Sequence, residues 1–288
     1  MASIPCTSST DTIMSRQQHQ SDPGILDRRR LRSDHRCLAA ILSPGMSVLD
    51  VGCGTGAITK GIAEAVGPRG TVVGFDRDRA LLERARAHCA GLSNLRFEEA
   101  DATGLSFEER FDVVTAARTL QWIADLSGAI RQMTRAAKPG GWLVVLDYNH
   151  AFNGWEPAPP AGFAAFYRGF LSWGASNGWD NEVANHIPTL LREAGLQEIR
   201  SEVQDDVSAK GDHDLDQKTS LWTEVIDSLG PTLQLAHVCE GPLLESARRS
   251  YEAWRKTDLR RQILSMKAIV ARVPDGGGVG SGPAPSDR

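Results

Sequence analysis

The stretch Val48-Leu49-Asp50-Val51-Gly52-Cys53-Gly54-Thr55-Gly56 decides the fold of this chain. A short apolar run rich in β-branched residues ends in an acid, and three glycines follow at alternate positions. This pattern predicts a buried strand that turns tightly into a helix over residues 57–66. Glycine suits the turn because it adopts positive φ and lets a ligand lie against bare backbone. The unpaired N–H groups at the start of the helix can then face a carboxylate or a phosphate.

Two classes of nucleotide cofactor use such a turn. Gly52, Gly54 and Ala57 also satisfy the loose dinucleotide fingerprint, so the glycines alone do not choose between the classes. Asp50 discriminates, because an acid at the strand end repels a pyrophosphate but suits a ligand with an ammonium or sulfonium group. The stretch resembles the first motif of the class I S-adenosylmethionine-dependent methyltransferases, an acid followed by Gly-x-Gly-x-Gly. The resemblance implies S-adenosylmethionine as cofactor, with contacts from Asp50, Gly52, Cys53, Gly54 and Gly56.

Composition bounds the class of protein. The chain has 288 residues, of which 41% are hydrophobic and 24% charged, as in a globular protein with one large domain or a domain with an insertion. A net charge of -4 argues against a general nucleic-acid binder. The five cysteines form no CxxC pair, which favours reduced thiols in the cytoplasm over disulfides or a metal site. No apolar run reaches membrane-spanning length, and the N-terminus lacks the apolar core of a secretory signal.

The second predicted strand, 71–76, also ends in an acid. Asp76 stands where a βαβ nucleotide fold places a carboxylate that accepts hydrogen bonds from both ribose hydroxyls. Its other available role is to cap the helix predicted over 79–89, although Asp78 suits that role at least as well. The resemblance adds Arg77 to the predicted cofactor contacts.

The third and fourth strands continue the series. The third, 95–100, leads into Asp101 and Ala102, which hold the positions where the resemblance implies an acid and a backbone N–H facing the adenine ring. The fourth ends in Ala117, whose carbonyl the resemblance places near the methionine amine, with Arg118 next to it. An Asp that starts a loop is common, so these residues support the resemblance only together with the other matching positions.

The sequence predicts an α/β fold, a doubly wound Rossmann-like seven-stranded sheet with helical lid insertions. Five strands alternate with helices, and the fifth follows the turn Lys138-Pro139-Gly140-Gly141, so these strands should be parallel. The resemblance implies an antiparallel seventh strand between the fifth and the sixth. A ligand should lie beyond the carboxyl ends of the strands, where Gly52, Asp76, Asp101 and Ala117 all fall.

The expected organisation has seven parts. We predict a disordered tail over 1–24, a cofactor-binding core over 25–147, a helical lid insertion over 148–182, core over 183–207, a second helical insertion over 208–259, the last core strand over 260–273 and a disordered tail over 274–288. The sixth strand is predicted over 196–207 and the seventh over 261–273.

The substrate class is the least specific part of the prediction. The run Leu120-Gln121-Trp122 resembles the matching segment of small-molecule carboxyl O-methyltransferases and lacks the paired histidines of quinone C-methyltransferases. Aromatic residues of the first insertion share one helical face, which either packs on the core or covers an apolar substrate. We therefore favour O-methylation over C- or N-methylation. The predicted substrate-binding residues are Gln121, Trp122, Asn149, Trp155, Phe170 and Trp173.

A general base is needed only for some acceptors. His150 is the candidate, because it follows the fifth strand at the ligand edge and imidazole titrates near neutral pH. Tyr148 could orient the acceptor or lie over the sulfonium. A structural histidine is the alternative for His150, and His186 is a weaker candidate. A carboxylate acceptor needs no base.

An arginine cluster in the helix predicted over 25–42 has two interpretations. It is either a solvated face or the source of a guanidinium that meets the carboxylate of cofactor or substrate. The sequence does not say which arginine would do so. The cluster consists of Arg28, Arg29, Arg30, Arg32 and Arg36.

The expected function is methyl transfer from S-adenosylmethionine to a small, apolar or aromatic acceptor. An NAD-dependent oxidoreductase and a non-catalytic cofactor-binding module are the alternatives. We expect a cytoplasmic protein that binds a small-molecule substrate and no nucleic acid, membrane or metal ion. A homodimer is compatible with the sequence.

Overall fold

The apolar segment around Leu49 forms an inner strand of a seven-stranded sheet in the computed structural model, which describes residues 23–275. Both faces of this strand are buried, as a near-continuous apolar run requires in a parallel sheet. The strands are β1 (Ser47–Val51), β2 (Thr71–Asp76), β3 (Leu95–Glu99), β4 (Phe111–Ala117), β5 (Ala137–Tyr148), β6 (Gly154–Glu156), β7 (Gln197–Val203), β8 (Asp206–Ala209), β9 (Arg261–Leu264) and β10 (Met266–Arg272).

The strand order of the large sheet is β3-β2-β1-β4-β5-β10-β7. The first five strands are parallel, and β10 runs antiparallel to both β5 and β7. This order reverses between β1 and β4, so the crevice for a ligand lies at the carboxyl ends of those strands. The predicted doubly wound seven-stranded fold, with its antiparallel seventh strand, is confirmed.

Helices cover both faces of this sheet and build the lid. They are α1 (Pro23–Asp27), α2 (Leu31–Asp34), α3 (Arg36–Ile41), α4 (Ala57–Val66), α5 (Arg79–His88), α6 (Leu126–Ala136), α7 (Ala161–Ser176), α8 (Val183–Glu193), α9 (Leu215–Thr219), α10 (Leu221–Leu235) and α11 (Gly241–Thr257). The carboxylate of Asp78 caps α5 by accepting from the N–H groups of Ala80 and Leu81, as its sequence position predicts.

The predicted N-terminal helix 25–42 is wrong as one element, because the chain breaks it into α1, α2 and α3. The backbone of His35 has φ -146°, outside the helical region, and its ring turns inward to Thr115. The Asp34 carboxylate accepts from the N–H of Arg30, a local bond that competes with a continuous helix.

The predicted strands 196–207 and 261–273 each divide in two at the same level. The N–H of Gln204 donates to the carbonyl of Met266, and the N–H of Met266 donates to the carboxylate of Asp205. Beyond this crossing the chain leaves the large sheet, and β8 and β9 join β6 in a second, three-stranded sheet. The predicted boundary between 207 and 208 therefore falls inside β8.

The two insertions form one body. The aromatic face of α7 packs against α10 and α11, so that the rings of Phe163 and Tyr251 stack with centroids 4.3 Å apart. The aromatic face is thus the core of the lid, and Phe170 at its edge reaches the site described below. The face therefore packs on the second insertion and not on the sheet, and Phe170 is its member that lines the cavity.

Some expectations concern the ends of the chain. The predicted tails 1–24 and 274–288 lie outside the described residues, except for Pro23 and Gly24 in α1 and for Pro274 and Asp275. Over residues 23–275, no helix has the length and apolar character that would let it cross a membrane. The same range holds no group of three His, Cys, Asp or Glu residues arranged to bind a metal ion.

Candidate active site

A cavity of about 570 Å³ opens at the carboxyl ends of the parallel strands, beneath the lid. The carboxyl end of each of β1, β2 and β4 contributes to its wall, together with the loop after β3. All predicted cofactor residues except Gly56 line it, namely Asp50, Gly52, Cys53, Gly54, Asp76, Arg77, Asp101, Ala102, Ala117 and Arg118. Asp50, Asp76 and Asp101 therefore share one cavity.

The glycine loop has the conformation that its sequence predicts. Gly52, Gly54 and Gly56 have φ of +74°, +54° and +74°, where other residues are strained. The N–H groups of Gly52 and Cys53 both donate to the carbonyl of Phe75, which ties the loop to β2. A Cβ on Gly52 would overlap the side chain of Thr119, so that position admits no larger residue.

Asp50 is a buried acid at the end of β1. The hydroxyl of Thr59 donates to its carboxylate at 2.7 Å. Burial raises the pKa of Asp50 to about 6, and the nearby charge of Asp76 adds to the rise. A positively charged ligand in the cavity would favour the ionised carboxylate.

This raised pKa makes stability depend on pH between about 4 and 6. An Asp with a higher pKa in the folded state binds more protons there than the unfolded chain, so stability falls as pH rises through that window. We expect Asp50 to contribute a loss of about 2–3 kcal/mol, which Asp50→Asn removes. Urea denaturation of both proteins at intervals from pH 4 to 7 measures this. If the two stability curves run parallel, Asp50 does not titrate as described.

Asp76 links the glycine loop to the next helix. Its carboxylate accepts from the N–H of Gly54 at 2.8 Å and from the N–H of Asp78 at 2.9 Å. Burial raises the pKa of Asp76. Each carboxylate oxygen has further acceptor capacity beyond one backbone bond, so Asp76 can still accept from a ligand hydroxyl at the cavity wall.

Asp101 belongs to a tight turn at the same wall. Its carboxylate accepts from the hydroxyl of Thr103 at 2.5 Å and from the N–H of Thr103 at 2.8 Å. These two bonds lower the pKa of Asp101 and keep it ionised. The turn holds Ala102 beside it on the cavity surface.

Two arginines line the opposite end of the cavity. The guanidinium of Arg118 is buried, lies 3.6 Å from the carboxylate of Asp34 and stands 5.8 Å from the ring centre of Tyr148. Among the described residues, Arg29 is the one member of the N-terminal arginine cluster that lines the cavity. Burial, together with repulsion from Arg118, lowers the pKa of Arg29 to about 10, so it stays charged at neutral pH.

His150 lines this end as well. Its ring stacks on Tyr148 with centroids 4.8 Å apart and meets the edge of Phe170 at 5.4 Å. Burial lowers the pKa of His150 to about 4, so the imidazole is neutral at pH 7. Gln121 and Trp122 line the same region, and both donate to the carbonyl of Arg118.

Four predicted site residues lie away from the cavity. Gly56 caps α4 behind the loop, where a Cβ would meet Phe97. Trp155 donates its indole N–H to Gln262 inside the lid, and Trp173 packs edge-on against Trp179.

Asn149 is the fourth of these residues. Its side chain exchanges hydrogen bonds with Asn185, which ties β5 to α8. The side chains of neighbouring residues in an extended chain point to opposite sides. Because the side chain of Tyr148 faces the cavity, that of Asn149 points away from it. This correction needs no change in the predicted strand.

Sequence reasoning missed the residues that close the cavity from above. Ile25 and Leu26 of α1 line one side, and a Cβ on Gly54 would come within 3.1 Å of Leu26. Leu221, Trp222, Val225 and Ser228 of α10 line the other side. The signal was present, since the second insertion leaves the sheet at the carboxyl edge and α10 carries an apolar face.

Comparisons with known proteins agree with this geometry. Residues 42–169 match a family model described as a methyltransferase domain. A demethylmenaquinone methyltransferase of Staphylococcus aureus (strain JH9) is 39% identical over 104 residues, which are 36% of this chain and 43% of that protein. The chain therefore matches less than half of the length of this curated relative.

Solved structures share the fold at low identity. A SAM-dependent methyltransferase of Aquifex aeolicus has a TM-score of 0.50 and 16% identity, covering 88% of this chain and 100% of that one. The cyclase SpnF has a TM-score of 0.50 and 22% identity, covering 83% and 80%. Residues 42–169 therefore form a methyltransferase domain, and the chain shares the fold of these solved structures.

Proposed function

We propose that this protein transfers a methyl group from S-adenosylmethionine to a small apolar or aromatic acceptor, with oxygen favoured over carbon or nitrogen as the methylated atom. The observation that carries the proposal is the gathering of Asp50, Asp76 and Asp101 around one cavity with a glycine loop at its base. Three acids at one wall favour a cationic nucleoside over a pyrophosphate, which also argues against NAD.

The residues of the cavity fit this cofactor. Asp76 would accept from the ribose hydroxyls, and Asp101 with the N–H of Ala102 would meet the adenine ring. Arg29 supplies a charged guanidinium for a carboxylate, since its side chain makes no ion pair within residues 23–275. When bound, the sulfonium supplies an activated methyl group, so the protein chiefly positions the acceptor and excludes water.

The acceptor end of the cavity is aromatic. Its walls include Trp122, Tyr148, Phe170 and Trp222, whereas the acids among the cavity-lining residues stand on β1, on β2 and in the loops after β2 and β3. Flat rings pack well against such walls. An amine carried as a cation would lack a carboxylate partner there, which favours a neutral or acidic acceptor.

The cellular setting is also a proposal. We infer a cytoplasmic protein, because Cys37, Cys53, Cys89 and Cys239 are free thiols in the described residues. We propose that its partner is the small-molecule acceptor and not nucleic acid, and that a homodimer is compatible with the fold.

The direct test uses the full chain with isotopically labelled S-adenosylmethionine and a panel of small phenols, carboxylic acids and amines. We expect label in a phenolic or carboxylic product, identified by mass spectrometry, and inhibition by S-adenosylhomocysteine. Saturable cofactor binding without label in any product would favour the non-catalytic module. Transfer confined to amines would contradict the preference for oxygen.

A further inference from the structure

Gln121 makes two hydrogen bonds that fix the direction of its side-chain amide. Its amino group donates to the carbonyl of Arg118 at 3.2 Å, and its amide oxygen lies 2.5 Å from Nε2 of His150. A carbonyl only accepts, so the amino group must face Arg118. The amide oxygen then faces His150, and Nε2 must donate to it.

The contacts of Nδ1, on the other side of the imidazole, indicate the same tautomer of His150. Asn153 accepts the N–H of Ser265 with its amide oxygen at 2.7 Å, and its amino group donates to the hydroxyl of Tyr167 at 2.9 Å. This amino group therefore faces Nδ1 of His150, at 3.5 Å. A nitrogen that faces a donor carries a lone pair. At 3.5 Å this is a weak hydrogen bond, so a ligand hydroxyl can replace Asn153 as the donor to Nδ1.

We propose that Gln121 is a positioning residue that holds the His150 proton on Nε2, so that Nδ1 accepts the proton of a neutral phenolic or enolic hydroxyl on the acceptor. This inference rests on the proposed methyl transfer and specifies its substrate class. The O–H bond of the acceptor breaks, the proton bonds to Nδ1, and the oxygen keeps the electron pair with which it bonds to the methyl carbon. The C–S electron pair goes to sulfur.

The surroundings of His150 favour a neutral hydroxyl over a cation. The ionisable groups at this end of the cavity are Asp147 and Tyr148 of β5, Arg118 after β4, Tyr167 of α7 and Arg29, which lies between α1 and α2. The single acid among them, Asp147, is occupied by the N–H groups of Leu120, Gln121 and Tyr148. The guanidinium of Arg118 stands 5.8 Å from the ring centre of Tyr148, on which His150 stacks, so this end of the cavity carries positive charge.

Nitrogen-15 NMR of histidine-labelled full chain tests the tautomer without any turnover. We expect His150 at pH 7 to show protonated Nε2 and unprotonated Nδ1, and we expect Gln121→Met to lose this preference. Trp122→Phe is the matched control, because it removes a donor to the same Arg118 carbonyl and leaves Gln121 in place. A proton on Nδ1 in the wild type, or an unchanged tautomer in Gln121→Met, overturns the proposal.

A pH titration separates a positioning role from a packing role. In Gln121→Glu a carboxylate would face Nε2 and stabilise the imidazolium, so the His150 resonance should titrate about 1–2 pH units higher than in the wild type. An unshifted or lower titration contradicts the proposal.

The substrate class is tested with 2-naphthol and, as a control without a hydroxyl, 2-methoxynaphthalene. In the presence of S-adenosylhomocysteine, 2-naphthol should shift the Nδ1 resonance of His150 and the ether should not. If neither ligand or both ligands shift it, the hydroxyl assignment fails. If the proposed methyl transfer itself is wrong, the protein will not bind S-adenosylhomocysteine or will form no methylated product. These outcomes are distinct from a failure of the hydroxyl assignment.

Discussion

A Gly54→Arg variant is expected to lose more than about 100-fold in affinity for S-adenosylhomocysteine. Gly54 has φ +54°, and a Cβ there would come within 3.1 Å of Leu26 on α1. Its N–H also donates to the carboxylate of Asp76, so distortion of the loop would displace Asp76, the residue proposed to bind the ribose hydroxyls. The long side chain would extend into the cavity that Gly54 lines. Isothermal titration calorimetry measures the loss.

Gly67→Arg is the matched control for this variant. Gly67 ends α4 with φ +66° and has no atom within 4 Å of a built Cβ, so its replacement carries similar backbone strain away from the cavity. We expect Gly67→Arg to lose stability and keep its affinity. Equal affinities in Gly54→Arg and the wild type would show that the loop does not contact the nucleoside.

A His150→Phe variant is expected to lose about 10²–10⁴-fold in kcat toward a phenolic acceptor and to keep its affinity for S-adenosylhomocysteine. Phenylalanine preserves the contacts with Tyr148 and Phe170 and removes both ring nitrogens. The pKa of about 4 for His150 means that wild-type activity should stay level as pH falls from 8 toward 5. Initial rates over that range, with and without the substitution, measure both effects.

His186→Phe controls for the loss of a histidine elsewhere. His186 is exposed, lies 2.5 Å from the Asp180 carboxylate and does not line the cavity, so this variant should retain wild-type kcat. An increase in KM alone for His150→Phe would assign His150 to binding, and an unchanged kcat would remove it from the chemistry.

Local sequence was enough to predict the parallel strands and the glycine loop. The apolar run into Asp50 and the acid at Asp76 are local patterns, which can be recognised from neighbouring residues in the sequence. The carboxyl ends of parallel strands then lie at one edge of the sheet, independently of the loop conformations. The position at the cavity of every predicted cofactor residue except Gly56 therefore follows from β1, β2 and β4 and from the turn after β3.

The acceptor half depends on contacts between distant segments. Trp155 and Trp173 are aromatic residues of the right insertion, but partners on other segments, Gln262 and Trp179, hold them inside the lid. Trp222 enters the cavity wall from α10, far along the chain. Hydrophobic periodicity shows that such residues are buried and does not show against which surface.

The same limit explains the divided strands. Residues 196–207 and 261–273 carry strand-like patterns throughout, and periodicity alone does not mark where a chain passes from one sheet to another. The crossing is set by bonds of Gln204 and Asp205 to Met266, residues far apart in sequence.

The fold does not fix the reaction by itself, since the cyclase SpnF shares it. The central claim is that Asp50, Asp76 and Asp101 line the binding site of a sulfur nucleoside, and calorimetric titration of the full chain with S-adenosylhomocysteine and, separately, with NAD tests it most directly. The account predicts saturable binding of S-adenosylhomocysteine at one site per chain, weakened by Asp76→Ala, and no saturable binding of NAD. Tighter binding of NAD, or S-adenosylhomocysteine affinity that is indifferent to Asp76→Ala, would contradict it.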